Sequence, residues 1–421
     1  MMDADLARIR ADFPALHLPV KGRAPVYLDS ACTTLRPEPV ISAMADYMRR
    51  NSGCHGRAAH AFGREATRVV AEAREATRAF LGAAHADEVI FVRGCTEAIN
   101  LVAECLPLGK GDTVLTTGIE HNSNLLPWQG LVRRRGVRHV VLPLDPARGF
   151  DMEAFRARLR DGVRLVSVVH VSNLCGIELP VAEICREAHR AGAWVLVDGA
   201  QSVATHAIDV GAMGADFFAF SFHKAFGPEG IGALYGRRDL LARMPAWQVG
   251  GDTVEDVTYD TCTWAAVPQR FEAGVANTTG AVGAAAAIAW LRGIGPDRIL
   301  AHATALNERA TAALSHFPRV HVIGPIDSVL RGSILNFWVD GLDSRSLAGL
   351  LDERAGVMVR YGKHCVHAWY HASGVPDSVL ASFTIYNTSA DVDALTDTLG
   401  NVLSMIGDAP LPADAPTKGI R

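Results

Sequence analysis

The residue with the clearest chemical potential in this sequence is a lysine at the end of an apolar run. The chain has 421 residues but only five lysines, and Lys224 comes two residues after the hydrophobic stretch Phe217–Phe222. Such a stretch predicts a buried strand, and burying an ammonium group is costly unless its charge is neutralised. A lysine that forms a Schiff base with a carbonyl compound avoids that cost. We therefore predict that Lys224 bonds covalently to a substrate or cofactor.

An aspartate follows a second apolar run. Asp198 comes directly after Trp194–Val197, so its carboxylate is expected to be largely buried. A buried carboxylate needs a cationic or hydrogen-bonding partner, and the protonated nitrogen of a pyridine ring is one such partner. In the alternative interpretation, Asp198 caps the N-terminus of the helix that follows.

Two further strand ends carry polar groups. A helical pattern begins at Thr96, and a helix N-terminus with a hydroxyl group suits a phosphate, although threonine is also a common helix cap. His121, in the segment Glu120-His121-Asn122, could stack on a ring or could satisfy its own loop. A phosphate cradle, a buried aspartate and a Schiff-base lysine, in this order along the chain, predict a site for pyridoxal 5'-phosphate (PLP).

The elements that must position these residues form a repeating pattern between residues 88 and 236. Short apolar runs alternate there with helical patterns, which is the signature of an α/β fold with a mainly parallel sheet. The seven runs predicted as strands are Glu88–Val92, Thr113–Thr117, Val137–Leu142, Leu165–Val171, Trp194–Val197, Phe217–Phe222 and Ile231–Tyr235. Because ligands bind at the carboxyl ends of strands in such sheets, the polar residues above are expected to meet there.

The pattern changes after about residue 290. Longer helices, at Pro296–Phe317, Ser344–Ala355 and Asp391–Ile406, surround a few strand candidates that include Val357–Arg360. We predict a large domain over residues 19–290 and a smaller α+β domain formed by residues 1–18 and 291–421. The Pro- and Ala-rich tail after residue 407 is expected to be mobile.

Composition excludes several classes of function. The formal net charge is −4 with no long run of one sign, which argues against nucleic acid as a partner. The exception, Arg133-Arg134-Arg135, is interpreted as a solvated helix end. No apolar run is long enough to span a membrane, the N-terminus has no signal-peptide pattern, and the eight cysteines lack metal-site spacing. We expect a cytoplasmic protein without a metal site or membrane partner.

With these residues placed, the chain resembles class V aminotransferase-type, fold-type I PLP enzymes, and within them the cysteine desulfurase/selenocysteine lyase family. The resemblance extends over nearly the whole chain. It rests on the segments Tyr27-Leu28-Asp29-Ser30-Ala31, Arg93-Gly94-Cys95-Thr96-Glu97-Ala98-Ile99-Asn100, Glu120-His121-Asn122, His170-Val171-Ser172-Asn173, Val197-Asp198-Gly199-Ala200-Gln201, Ser221-Phe222-His223-Lys224, Arg270-Phe271-Glu272-Ala273-Gly274 and Tyr386-Asn387-Thr388. It implies PLP as the cofactor and a homodimer as the assembly.

The resemblance also implies roles for the cofactor-binding residues. Lys224 would carry the cofactor, Asp198 would face the pyridine nitrogen, Gln201 the ring hydroxyl, and His121 would stack on the ring. The phosphate would be held by the residues Thr96, Ser221 and His223, with Cys95 replacing a common threonine and Thr278 reaching in from the partner subunit.

One further segment resembles the desulfurases specifically. In Val359-Arg360-Tyr361-Gly362-Lys363-His364-Cys365, the family's cysteine takes the substrate sulfur as a persulfide while alanine is released. Neighbouring His364, Lys363 and Arg360 could lower the pKa of the Cys365 thiol. An isolated cysteine, read without the family, is more often a buried apolar residue. The spacing after Cys365 is similar to the branch that passes sulfur to an acceptor protein.

The sequence departs from the family at the position of its carboxylate-binding arginine, which is Leu380 here. Arg360, or Arg57 with Asn173, could take the substrate carboxylate instead. Alternatively the enzyme is a C–S β-lyase, aminotransferase or epimerase of specialised metabolism, whose substrate lacks the usual α-carboxylate contact. A third hypothesis, an idle scaffold that binds PLP or a protein, conflicts with the intact set Lys224, Asp198 and His121.

Overall fold

The chain folds around a seven-stranded sheet that contains every strand predicted between residues 88 and 236. The computed structural model describes residues 3–160 and 162–406; the predicted mobile tail lies outside the described residues. The strands lie across the sheet in the order Val89–Val92, Gly232–Gly236, Phe217–Ser221, Trp194–Asp198, Val163–Val169, Thr113–Thr117 and Arg138–Leu142, and Gly232–Gly236 alone runs against the other six. The prediction of an α/β fold with a mainly parallel sheet is confirmed.

The described residues contain fifteen strands and fourteen α-helices. The strands are β1 (Val26–Tyr27), β2 (Val89–Val92), β3 (Thr113–Thr117), β4 (Arg138–Leu142), β5 (Val163–Val169), β6 (Trp194–Asp198), β7 (Phe217–Ser221), β8 (Gly232–Gly236), β9 (Val254–Val257), β10 (Cys262–Trp264), β11 (Val320–Ile323), β12 (Ile334–Val339), β13 (Val357–Met358), β14 (Arg360–Gly362) and β15 (Ser378–Ser382). The helices are α1 (Asp3–Ala11), α2 (Glu38–Arg50), α3 (Ala61–Leu81), α4 (Cys95–Cys105), α5 (Leu126–Arg135), α6 (Met152–Leu159), α7 (Val181–Arg190), α8 (Val210–Met213), α9 (Arg238–Arg243), α10 (Thr278–Ile294), α11 (Pro296–Leu314), α12 (Ser344–Ala355), α13 (His367–Ser373) and α14 (Ser389–Ile406).

The central strands are largely apolar because both faces of the sheet are covered. Neighbouring side chains on a strand point to opposite faces, and in β7 Phe217 packs into one hydrophobic cluster while Phe218 packs into another. All five residues of β7 are buried. Helices on each side supply the rest of both clusters, which explains why the strands read as continuous hydrophobic runs.

A second sheet lies towards the C-terminus, with the order β11-β12-β15-β14 and antiparallel pairing throughout. Helices α11, α12 and α14 pack on it around a third hydrophobic cluster. This is the smaller α+β unit of the predicted fold class. The domain boundaries at residues 18 and 290 stay a prediction.

The predicted strand Val357–Arg360 is divided between two pairings. Met358 pairs with Tyr27 in the parallel pair β1–β13, whereas Arg360 pairs with Leu380 of β15. A further bridge joins Asp29 to Ser382. The segment after β1 is therefore held against the second sheet, beside the residues that follow β14.

Two features outside the sheets bear on the sequence interpretation. Arg133, Arg134 and Arg135 form the last turn of α5, where Arg134 and Arg135 pair with Glu104, so the interpretation as a helix end is confirmed. Within residues 3–160 and 162–406, no helix has the length and apolar character needed to cross a membrane.

Candidate active site

A cavity of about 230 Å³ lies at the carboxyl ends of the parallel strands. The strands β2, β3, β5, β6 and β7 all end on this side of the sheet, as the prediction required. Thirteen of the fifteen predicted site residues line the cavity: Cys95, Thr96, His121, Asn173, Asp198, Gln201, Ser221, His223, Lys224, Arg360, His364, Cys365 and Leu380. The structure thus gathers residues that are up to 285 positions apart in sequence, from Cys95 to Leu380.

Two predicted residues do not line this cavity within the single chain. The side chain of Arg57 is 87% exposed and forms an ion pair with Asp252, with Nη2 3.3 Å from Oδ1. Thr278 is the first residue of α10, whose N-cap is Asn277. The role that the sequence interpretation gives Thr278 lies in the site of a partner subunit and stays a prediction.

Asp198 ends β6 and is buried, with 3% of its surface exposed. Its Oδ1 accepts hydrogen bonds from the Cys95 thiol at 3.3 Å and from the Ala200 backbone N–H at 3.0 Å. A turn follows, so the alternative of a helix cap does not hold. Neither hydrogen-bond donor described for this carboxylate is cationic, and a buried carboxylate is stabilised by a charged N–H partner. The protonated nitrogen of a pyridine ring fits this requirement.

His121 lies in the loop after β3. Its Nδ1 accepts a hydrogen bond from the Ser123 N–H at 3.1 Å, which leaves the proton of the neutral ring on Nε2. Burial, with a smaller contribution from nearby Lys224, lowers the pKa of His121 to about 4. The alternative in which His121 satisfies its own loop is therefore confirmed, and the uncharged ring also lines the cavity, while its stacking on a cofactor ring stays a prediction.

The N-terminus of α4 forms a second end of the cavity. Gly94 is the N-cap of α4, so Thr96 is not a helix cap, and its hydroxyl lies 2.7 Å from that of Ser123. Ser221 Oγ accepts a hydrogen bond from the Cys95 N–H at 2.8 Å. A Cβ atom at position 94 would lie 3.0 Å from Ser221 Oγ, so glycine keeps this cradle open. Free N–H groups and hydroxyls at a helix N-terminus are a suitable set for a phosphate.

Lys224 is the last residue of the short 3-10 helix that follows β7, and its side chain lines the cavity. Its ammonium group forms no ion pair or hydrogen bond with any residue in the described part of the chain. A half-buried lysine without a carboxylate partner agrees with an amine that bonds covalently. Beside it, burial lowers the pKa of His223 to about 4, so that ring is neutral near pH 7.

The segment that carries Cys365 connects β14 to α13. His364 and Cys365 both adopt left-handed backbone conformations, with φ of 47° and 58°, which are uncommon for residues other than glycine. Two hydrogen bonds tie the loop backbone to other elements: Asn122 N–H donates to Cys365 O, and Asn173 Nδ2 donates to His364 O, each at 2.7 Å. Strained backbone of this kind occurs preferentially at functional sites.

The electrostatics around Cys365 differ from the expectation. Burial lowers the pKa of His364 to about 3, so this ring carries no charge at neutral pH. Lys363 Nζ lies 3.9 Å from the Asp377 carboxylate, and Arg360 forms a bidentate pair with Asp29. His364 thus adds no positive charge beside the thiol, and the other two cations each face a carboxylate.

The segment that follows β1 contributed to the family resemblance, but sequence reasoning gave it no role in the site. Cys32 lines the cavity, and the Gln201 side chain fixes this segment by donating from Nε2 to Ala31 O at 2.8 Å. Asp29 meets Arg360 across 331 positions of sequence. Since β1 has only two residues and lies outside the seven-stranded sheet, no strand-end signal could have placed these residues.

The fold and the cavity together define a class of protein: an α/β protein with a ligand cavity at the strand ends of a mainly parallel sheet. The family model described as aminotransferase class-V matches residues 26–395. The chain belongs to this family and is a PLP-dependent enzyme, as the resemblance implied.

Individual relatives are similar over nearly their full lengths. The chain is 42% identical to a probable cysteine desulfurase of Halobacterium salinarum, covering 93% of this chain and 95% of the relative. It is 39% identical to a cysteine desulfurase of Haloferax volcanii, covering 94% and 96%. Among solved structures, a cysteine desulfurase of Thermococcus onnurineus superposes with a TM-score of 0.90 at 33% identity, covering 95% of this chain and 98% of the other.

Proposed function

We propose that this protein is a cysteine desulfurase/selenocysteine lyase-like enzyme. It takes the sulfur of cysteine, or the selenium of selenocysteine, onto Cys365 and releases alanine. In the sulfur reaction, cysteine and the Cys365 thiol give alanine and a Cys365 persulfide, so all atoms are accounted for. The observation that carries the proposal is that Lys224, Asp198 and Cys365 line one cavity. The names of the similar proteins support the same activity.

The cofactor would be held by the residues that the resemblance assigns. Lys224 would bind it covalently, Asp198 would pair with its ring nitrogen, and His121 would stack on its ring. Gln201 would donate its remaining amide hydrogen to the ring hydroxyl, and the phosphate would lie against Thr96, Cys95, Ser221 and His223, with Thr278 of a second subunit. When bound, PLP supplies the electron sink that makes the Cα–H bond of the substrate acidic.

The chain's own groups would then carry out two steps. The Lys224 amine removes the Cα proton, and the Cys365 thiolate attacks the substrate sulfur. Asn173, Arg360 and His364 surround the substrate, with Leu380 as an apolar wall. Arg57 is the weakest member of the proposed substrate set, because its side chain points into solvent beside Asp252.

The assembly and its surroundings belong to the same proposal. We propose a homodimer, because Thr278 has no role at the cavity of its own chain. The exposure of Cys365 is consistent with transfer of sulfur to an acceptor protein. A cytoplasmic location and the division into domains at residues 18 and 290 also stay predictions.

A second candidate is favoured by one observation. Leu380 is 1% exposed and lines the cavity where the family places an arginine. A C–S β-lyase, an aminotransferase or an epimerase acting on a substrate without the usual carboxylate contact would suit that wall. In these reactions Cys365 would receive no sulfur.

Cysteine turnover by the purified holoenzyme separates the two candidates. The desulfurase predicts that L-cysteine gives alanine together with one added sulfur on the Cys365 peptide, and that Cys365→Ser loses both products. Undiminished turnover in the Cys365→Ser variant, with no added sulfur on the wild-type peptide, would support the second candidate.

A further inference from the structure

The cavity holds little positive charge that a substrate carboxylate could use. Among the described side chains that line it, three are histidines, and burial lowers the pKa of His121 and His223 to about 4 and that of His364 to about 3. All three rings are therefore neutral near pH 7. Of the two remaining cations, Lys224 is assigned to the cofactor, which leaves Arg360.

Arg360 is already engaged by a carboxylate. Its Nε and Nη2 donate to the two oxygens of Asp29 at 3.0 and 3.2 Å, the bidentate geometry that makes such pairs strong. Asp29 is itself held in place by a bridge to Ser382. A substrate carboxylate that approached Arg360 would have to share or displace Asp29, and two like charges at one guanidinium repel each other.

The wall beside Arg360 is apolar. Leu380 lies directly opposite Arg360 in the antiparallel pair β14–β15, and both side chains line the cavity. Burying an ionised carboxylate against an apolar side chain carries a large desolvation cost. A neutral carbonyl group placed there avoids most of that cost.

The His364 ring at the same end of the cavity has uncharged neighbours. Its Nε2 lies 3.0 Å from Ser378 Oγ, which is also hydrogen-bonded to Tyr370 Oη, and Asn336 Nδ2 donates to Tyr370 Oη at 3.2 Å. His364 Nδ1 is buried and has no partner among the described residues. None of these neighbours is a cation that could pair with a substrate carboxylate.

We propose that the favoured substrate is a cysteine whose α-amine is free and whose α-carboxyl group is held as a neutral amide or ester. The inference rests on the proposed removal of sulfur from cysteine and narrows its substrate class. The reaction balances in the same way: cysteinamide and the Cys365 thiol give alaninamide and the Cys365 persulfide. Leu380 and the Asp29–Arg360 pair together determine this specificity.

The test compares three probes on the purified holoenzyme at one pH: L-cysteine, L-cysteinamide and L-cysteine ethyl ester. We expect kcat/KM for the amide or the ester to exceed that for the free acid by at least about tenfold, equivalent to about 1.4 kcal/mol. Comparison of kcat/KM for the amide with that for the ester shows which of the two linkages the enzyme prefers. Equal values, or preference for the free acid, would overturn the inference.

Variants separate the protein's preference from the intrinsic reactivity of the probes. Leu380→Arg adds the missing cation and should raise the ratio of kcat/KM for the acid to kcat/KM for the amide by about tenfold or more. The control Leu380→Met is similar in volume and uncharged, so it should keep the wild-type ratio. Because an added arginine could disturb β15, Asp29→Asn provides a second route, since it frees Arg360 without adding volume. An unchanged ratio in folded Leu380→Arg and Asp29→Asn would contradict the assignment.

A binding readout keeps this inference separate from the proposed function. L-alanine and L-alaninamide contain no sulfur, and their affinities follow from the change in cofactor absorbance on titration. Tighter binding of alaninamide supports the inference even if no probe yields a persulfide, a result that would reject the desulfurase activity alone. Tighter binding of alanine, with persulfide formed from L-cysteine, would reject the inference and keep the activity.

Discussion

The thiol of Cys95 donates a hydrogen bond to the carboxylate of Asp198 at 3.3 Å, beneath the site proposed for the pyridine ring. The sequence interpretation placed Cys95 at the phosphate, whereas only its backbone N–H points that way, towards Ser221. Burial and the nearby carboxylate raise the pKa of the Cys95 thiol well above its usual range, so the thiol stays protonated and remains a donor.

This arrangement predicts unequal effects for two substitutions. Asp198→Asn removes the charge that should face the ring nitrogen, and kcat/KM is expected to fall by about 100-fold or more. Cys95→Ala removes one weak donor from a carboxylate that keeps its Ala200 partner, and a loss below about tenfold is expected. Steady-state kinetics, with cofactor content measured by absorbance, check both values. A larger loss in Cys95→Ala than in Asp198→Asn would contradict the assignment.

Stability should depend on pH through His364. Burial lowers its pKa to about 3 from an ordinary value near 6.5, so the unfolded chain takes up a proton before the folded chain does. The stability that neutral His364 provides is present above pH 6.5 and is lost as the pH falls towards 3. At pH 5 this loss is about 2 kcal/mol.

Replacing the titrating ring tests this dependence. The free energy of unfolding of the wild type minus that of His364→Asn should be about 2 kcal/mol smaller at pH 5 than at pH 7. Urea unfolding of both proteins at the two pH values measures it, and other titrating groups cancel in the comparison. A difference that stays constant with pH would show that His364 does not titrate in this way.

A buried ion pair near the edge of the large sheet should matter for stability. Arg74 of α3 forms two hydrogen bonds of 2.7 Å with Glu272, which also accepts from the Phe91 N–H at 2.6 Å. Arg74→Ala would leave the largely buried Glu272 carboxylate, whose side chain is 15% exposed, without its cation, and the free energy of unfolding should fall by about 3 kcal/mol.

The same helix offers a matched control. Arg68 also pairs with two glutamates, Glu65 and Glu72, but all three side chains are exposed to solvent on the surface of α3. Arg68→Ala should lower the free energy of unfolding by less than about 1 kcal/mol. Urea unfolding measures both variants. Similar losses in the free energy of unfolding would show that burial does not make the Arg74 pair stronger than the Arg68 pair.

Much of the site followed from the strand pattern. Asp198 and Lys224 end apolar runs in parallel strands, and strand ends converge whatever the order of the strands, so these residues could be placed without knowing the sheet topology. The sheet order itself was not predicted, because it depends on long-range packing.

The remaining contacts depend on pairings between distant elements. Cys32 lines the cavity and Asp29 pairs with Arg360 because β1 pairs with β13, about 330 positions away, and no periodic pattern in the sequence records that pairing. His364 is neutral because Ser378, Tyr370 and their surroundings bury it. The residues next to His364 in sequence do not reveal this burial, so the sequence analysis expected a positive charge there.

The central claim is that Cys365 receives the sulfur. Holoenzyme is mixed with one equivalent of L-cysteine, and separately of L-cysteinamide, without reductant; the peptide that contains Cys365 is then analysed by mass spectrometry alongside the alanine or alaninamide formed. The account predicts one added sulfur atom on Cys365 for each molecule of product, and neither in Cys365→Ala with an unchanged cofactor spectrum. Product formed while Cys365 stays unmodified would contradict it.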